Sequence, residues 1–265
     1  MGILGRWRGW RAVLLAWCVV WFGPAADLRA GTSDGTGTPG IIGRSAEPFG
    51  LAAAVLSAGG LRAKWRAVAR QLDDEAVQLA LCDGDRDRCV SPAALRLLAI
   101  VDNARARDGR ARLGEINRAI NLAIRPMSDL AQWGEIDVWS SPLVTFAHGA
   151  GDCEDYAIAK FVALRLAGVS PDDLRIVIMR DTIRGEDHAV AAARLDGHWL
   201  MLDNLRMAMV EDGDVRNYRP MFVIDQYGAM RYDETPLLAS ATGQDAPPIA
   251  PNSAVQPGMT SPSNQ

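Results

Sequence analysis

Apolar positions along the chain follow two different periods. Leu61, Trp65, Val68 and Leu72 recur at spacings of four, three and four, which marks one face of a helix. Ser91-Pro92 ahead of A-A-L-R-L-L-A-I-V-D reads as an N-cap followed by proline at the first helical position. Leu113, Ile116, Ile120 and Ile124 repeat the helical spacing, and Pro126 stops it. Beyond Pro171 the period shortens. Leu174–Met179, Ala189–Leu195, Trp199–Asp203 and Met221–Ile224 predict short strands, and Asp196-Gly197 between two apolar runs is a two-residue hairpin turn. Helices first and antiparallel strands second predict an α+β domain.

The two ends of the chain have other patterns. Arg6, Arg8 and Arg11 precede the apolar run Ala12 to Phe22, and small residues at Ala25, Ala26 and Ala30 follow, as in a secretory signal peptide over residues 1–30. The run falls short of the ~20 apolar residues that a spanning helix needs. Residues 31–46 read as a flexible linker, rich in glycine and threonine over 31–40. The tail, 237–265, is rich in proline and serine; from Ser240 onward it holds five prolines and one charge, Asp245, too little apolar surface to offset the entropy of ordering. The folding unit expected between them is 47–236. The signal predicts an exported chain.

Charge removes one class of partner. The net charge is −4, from 28 Lys+Arg against 32 Asp+Glu. Residues 1–30 carry four arginines and one aspartate, a balance of +3, which leaves −7 on the rest. An acidic body without a basic block is not a nucleic-acid surface. No long apolar heptad is evident, so a monomer is expected.

Four cysteines occur. Cys18 belongs to the signal. Cys82 and Cys89 bracket the polar loop D-G-D-R-D-R, and an oxidising compartment favours a disulfide there over two free thiols. Cys153 is left over, in G-A-G-D-C-E-D-Y-A-I-A-K. Ala157, Phe161, Leu164 and Gly168 have helical spacing, Gly149 and Gly151 suggest a flexible approach, and Asp152 is a good N-cap. Cys153 then falls in the first turn of a helix, where free N–H groups and the macrodipole favour a thiolate. The same N–H groups could receive an oxyanion.

A thiol nucleophile needs a base, and the chain holds three histidines, His148, His188 and His198. If Leu195 faces His198 across the Asp196-Gly197 turn, Val190 faces Asp203. His188 and Asp203 then become diagonal neighbours on one sheet face, with His198 on the other. This selects Cys153 as nucleophile, His188 as base and then acid, and Asp203 as the carboxylate that orients it. His148 reads as a solvated loop residue.

Asp152, Glu154 and Asp155 surround the thiol with like charge, which raises its pKa. Two explanations stand side by side: ordinary capping of a helix start, or a hard cation such as calcium held by Asp152 and Glu154.

G-D-C-E-D-Y-A-I-A-K, then D-H-A-V, then L-D-N, resembles the bacterial transglutaminase-like cysteine proteases of the LapG type. Upstream, G-E-I-N-R-A-I-N and D-V-W-S-S-P-L are similar to that family too, so the resemblance covers roughly 60–235. It implies a papain/transglutaminase-like α+β core with an N-terminal helical lobe and a C-terminal antiparallel sheet, and a Cys-His-Asp triad at Cys153, His188 and Asp203. It also implies calcium at Asp152 and Glu154, with Asp155 a weaker candidate. The role it implies is periplasmic cleavage of the N-terminal region of a large cell-surface adhesin, which promotes biofilm dispersal. The partner it implies is an inner-membrane cyclic di-GMP receptor whose periplasmic domain sequesters the protease by engaging an exposed tryptophan; Trp133 and Trp139, in the approach to Cys153, are not assigned to that contact. Two other readings use the same residues: acyl transfer of the transglutaminase or amidase type on another periplasmic substrate, and a catalytically idle calcium-binding module.

Overall fold

In the computed structural model, which describes residues 47–233, the two periods separate into a helical layer and a sheet. The signal segment with Cys18, the linker, the tail and residues 234–236 lie outside the described residues. In chain order the elements are β1 (Ala53–Val55), α1 (Gly60–Gly84), α2 (Pro92–Arg105), α3 (Gly109–Ala123), β2 (Arg125–Pro126), α4 (Asp129–Trp133), α5 (Pro142–His148), β3 (Ala150–Gly151) and α6 (Cys153–Leu166). The second half holds β4 (Leu174–Asp181), β5 (Asp187–Leu195), β6 (His198–Leu202), β7 (Val210–Glu211), β8 (Tyr218–Ile224) and β9 (Ala229–Tyr232). Among the described residues, no helix is long and apolar enough to cross a membrane.

The helical stripes become the core. Trp65, Val68 and Leu72 of α1, Leu97, Leu98 and Val101 of α2, and Leu113, Ile116 and Ile120 of α3 are all buried around α6. Ser91 caps α2 by accepting from the N–H of Ala94. α6 is buried nearly all round, from Asp155 to Leu164, which is why its sequence shows little polar–apolar contrast. Cys82 and Cys89 are bonded, tying the end of α1 to the segment that leads into α2.

The sheet is antiparallel, in the order β1-β9-β8-β4-β5-β6-β7. Alternation along β4 and β5 divides side chains between faces. Ile176, Ile178, Ala189, Ala191 and Ala193 pack toward the helices, whereas Val177, Met179, Val190 and Ala192 join Trp199, Val223 and Tyr232 on the far face. The alanine row of β5 leaves room for α6 to lie close against the strand. One strand, β1, comes from the N-terminal end and pairs with β9, so the sheet is not drawn from the C-terminal half alone.

The hairpin between β5 and β6 has the register that the turn dictates, with Leu195 opposite His198 and Ala191 opposite Leu202. Asp196 and Gly197 both have positive φ, 52° and 82°, the backbone that a tight hairpin of matching twist requires. A bulge interrupts β8: Ile178 pairs with Phe222 but Met179 pairs with Pro220, leaving Met221 as the extra residue. Pro220 is tolerated beside an irregularity of this kind.

Candidate active site

A groove of about 570 Å³ runs between the start of α6 and the central strands β8, β4 and β5, lined by Cys153, His188, Ala189, Trp139, Ile178 and Phe222 among others. Cys153 is the first residue of α6 and is half-buried. It is the free cysteine of the described residues. On the strand side, His188 Nε2 lies 2.9 Å from Asp203 Oδ1, and both residues are buried. Asp203 Oδ1 also accepts from the N–H of Leu205 at 2.9 Å. Burial pushes the Asp203 carboxyl up, but the hydrogen bond and charge of His188 and the Leu205 N–H outweigh it and hold Asp203 below the usual carboxylate range. An ionised Asp203 requires the proton on Nε2, which leaves Nδ1 as the basic nitrogen of the ring.

The thiol sits in a hostile field. Burial pushes its pKa up, and the Glu154 carboxylate, which accepts from Cys153 Sγ at 3.0 Å, pushes it further. The backbone N–H of Ala189, next to His188 in β5, acts in the opposite direction. Burial was the part of this field that the sequence did not reveal.

Asp152 occupies the N-cap position, but its side chain makes no capping bond. Its Oδ1 is buried and without a hydrogen-bond partner, as is Asp129 Oδ1. Asp129, Asp152 and Glu154 instead present carboxylate oxygens within 4.8 Å of one another. Burial, and then Glu154, push Asp152 up to about 9. Burial likewise raises Asp129. Three converging carboxylates, those of Asp129 and Asp152 with an orphaned oxygen each, fit a hard divalent cation such as calcium, and simple capping of the helix does not account for them.

Asp155 turns elsewhere. It is fully buried, accepts from the N–H of Ser140 at 2.8 Å, and is pushed up to about 7, chiefly by burial. The glycines before the cysteine do not form a loose approach. Gly149, at φ 65°, closes α5, and β3 pairs in parallel with β2. A Cβ on Gly151 would lie 2.5 Å from Asp155 Oδ2, so the close approach itself demands glycine.

His148 is not in a loop; it is the last residue of α5, exposed, with its ring 4.6 Å from that of Trp133. His198 lies at the turn, 3.4 Å from Glu211. Trp139 is half-buried in the groove wall. Two contributors were not read from the sequence. Asp129 lies far upstream of the cysteine, and the ladder from Met127 N–H to Gly151 C=O, 2.9 Å, brings it alongside. Tyr218 lays its ring over His188, centroids 5.7 Å apart.

Residues 78–223 match the family described as bacterial transglutaminase-like cysteine proteinase, BTLCP. The chain belongs to this family. No curated protein matches it. Among solved structures, this transglutaminase-like cysteine proteinase is similar to calcium-bound LapG of Legionella pneumophila, at 23% identity over 54% of this chain and 79% of the other, with a TM-score of 0.48. A second Legionella pneumophila LapG structure gives 23% identity over 52% and 77%, TM-score 0.47. A TGase structure gives 11% identity over 51% and 38%, TM-score 0.34.

Proposed function

We propose that this chain is a periplasmic, calcium-dependent cysteine endopeptidase that cuts the N-terminal region of a large cell-surface adhesin, releasing it and promoting biofilm dispersal. The observation that carries the catalytic part is the buried His188–Asp203 pair, whose histidine lines the same groove as a helix-start cysteine. Cys153 gives its proton to His188 Nδ1, and the sulfur attacks the scissile carbonyl carbon. The N–H groups of the first turn of α6 receive the oxyanion. Asp203 keeps the proton on Nε2 and stabilises the imidazolium. His188 then protonates the leaving amine as the C–N bond breaks. Water, deprotonated by His188, hydrolyses the thioester and restores the thiol.

Asp129, Asp152 and Glu154 would hold the cation, with the orphaned oxygens of Asp129 and Asp152 as the supporting observation. Bound there, it supplies positive charge that offsets the carboxylates around the thiol. The family resemblance supports the substrate class, the periplasmic address and sequestration by a cyclic di-GMP receptor.

The test is a gel assay of the chain against the N-terminal fragment of such an adhesin, with calcium, with a chelator, and with Cys153→Ala. One discrete cut that disappears in both controls is expected. Amine incorporation without cleavage would mark a transglutaminase instead, and a cut that survives chelation would remove calcium from the proposal.

A further inference from the structure

β6 ends at Leu202, and β7 does not begin until Val210; Asp203 therefore stands on a turn rather than on a strand. Side chains from two helices reach the carbonyl oxygens of that turn. Lys160 Nζ of α6 donates to Leu202 O at 3.1 Å. Asn121 Nδ2 of α3 donates to Asp203 O at 2.9 Å and to Arg206 O at 3.1 Å. Asn117 Nδ2, one helical turn earlier, donates to Arg206 O at 3.0 Å and Met207 O at 3.1 Å. We propose that Lys160, Asn121 and Asn117 are positioning residues, a clamp that fixes the 202–207 turn and so holds Asp203 in register with His188. This inference rests on the catalytic role given to those two residues above.

Packing alone does not account for these residue types. Lys160 is fully buried, and a hydrocarbon chain of similar volume would fill the same space without the desolvation cost of an amine. The buried Oδ1 atoms of Asn117 and Asn121 have no hydrogen-bond partner, a penalty that an apolar residue would avoid. What these side chains supply is N–H donors, and the donors all point at one turn. Geometry adds a reason for the lysine's place. Cys153 and Lys160 are seven residues apart on α6, two turns along one face. A single rigid helix thus carries the nucleophile at one point and grips the orienting carboxylate's turn at the other.

The experiment follows the tautomer of His188 and the nucleophilicity of Cys153 in the calcium-loaded protein at neutral pH. Histidine is labelled with ¹⁵N, and His188→Ala identifies the resonances of that ring among the three. Imidazole shifts report the tautomer, and iodoacetamide alkylation reports the thiol. The wild type should hold His188 as the Nε2–H tautomer. Lys160→Met and Asn121→Ala should each shift it toward a mixture and slow alkylation on the order of ten- to a hundredfold, the scale of a misplacement remote from the chemistry. Lys160→Met should do so without a fall in melting temperature, which separates positioning from folding.

Wild-type tautomer and rate in both variants would overturn the clamp. A wild-type rate indifferent to His188→Ala would instead overturn the catalytic reading on which the clamp depends. If Lys160→Met does not fold, the half-buried Asn121→Ala decides alone, since that side chain leaves little space behind.

Discussion

Burial and the Glu154 and Asp152 carboxylates oppose ionisation of Cys153, so the proposed mechanism draws its reactivity from His188 and from a cation nearby. Alkylation of the free thiol should be fast in the presence of calcium and slow by on the order of a hundredfold in His188→Ala, the usual scale of a general base. Chelation should slow the wild type in the same direction. Tyr218 gives a second test at this scale. Its ring lies against that of His188, and burial, then the charge of Asp203, raise its own pKa. Tyr218→Phe should keep the shielding and the reaction rate, whereas Tyr218→Ala should admit water to the pair and lower the rate; the pH profile of alkylation measures both. Asp203 and His188 were legible as neighbours because one Asp-Gly turn sets the register of a whole hairpin. Tyr218 was not legible, for a definite reason. Counting by twos from Phe222 puts Tyr218 on the helix-packed side of the sheet, and the extra residue at Met221 moves it to the other, the side of Met179 and its strand partner His188. A bulge is invisible to an alternation count. Asp129 was hidden differently, since the two-residue β2–β3 ladder that delivers it has no periodicity to detect.

Among the elements, the long helices and central strands were readable because each buries one continuous stripe or one full strand. β1, β7 and β9, of two to four residues, carry too few alternations to stand out. The bond between Cys82 and Cys89 closes a short loop, with a sequence separation of 7, and its loss should cost about 2.5 kcal/mol by the loop-entropy relation. A urea titration of the protein with and without reductant, compared with Cys82→Ser/Cys89→Ser, measures it. Lys160 predicts a pH signature for the α6–β6 contact. Burial holds its pKa down at about 7, against an ordinary 10.5, and the charge of Asp203 opposes that shift only in part. As pH falls from about 10.5 to about 7 the unfolded chain takes up a proton that the native lysine resists, so the native state loses stability over that window. Lys160→Met lacks this loss. Its stability relative to the wild type should be greatest below pH 7 and shrink toward pH 10.5, in denaturation curves recorded across that range.

At the scale of the whole molecule, the proposed cation site joins α4 to the start of α6, which the short β2–β3 ladder also brings together. A cation that binds the native state alone raises stability by mass action, about 2.7 kcal/mol when present at a hundred times its dissociation constant. Calcium should therefore raise the melting temperature of the wild type, and Asp129→Asn should weaken that response as strongly as Asp152→Asn. A response retained in full by Asp129→Asn would restrict the ligand set to the residues beside the cysteine.

The pairing of β1 with β9 has a consequence in time. The first strand of the sheet finds its partner among the last residues of the domain, and Tyr218, which covers the histidine, arrives on β8 shortly before. A chain being synthesised from its N-terminus carries the thiol long before it carries the base, the carboxylate and the strands that hold them. Under the proposed mechanism a nascent chain is thus unarmed, however far its helices have folded, until the final strand is released. Ribosome-stalled lengths ending before and after β9 should differ sharply in thiol labelling.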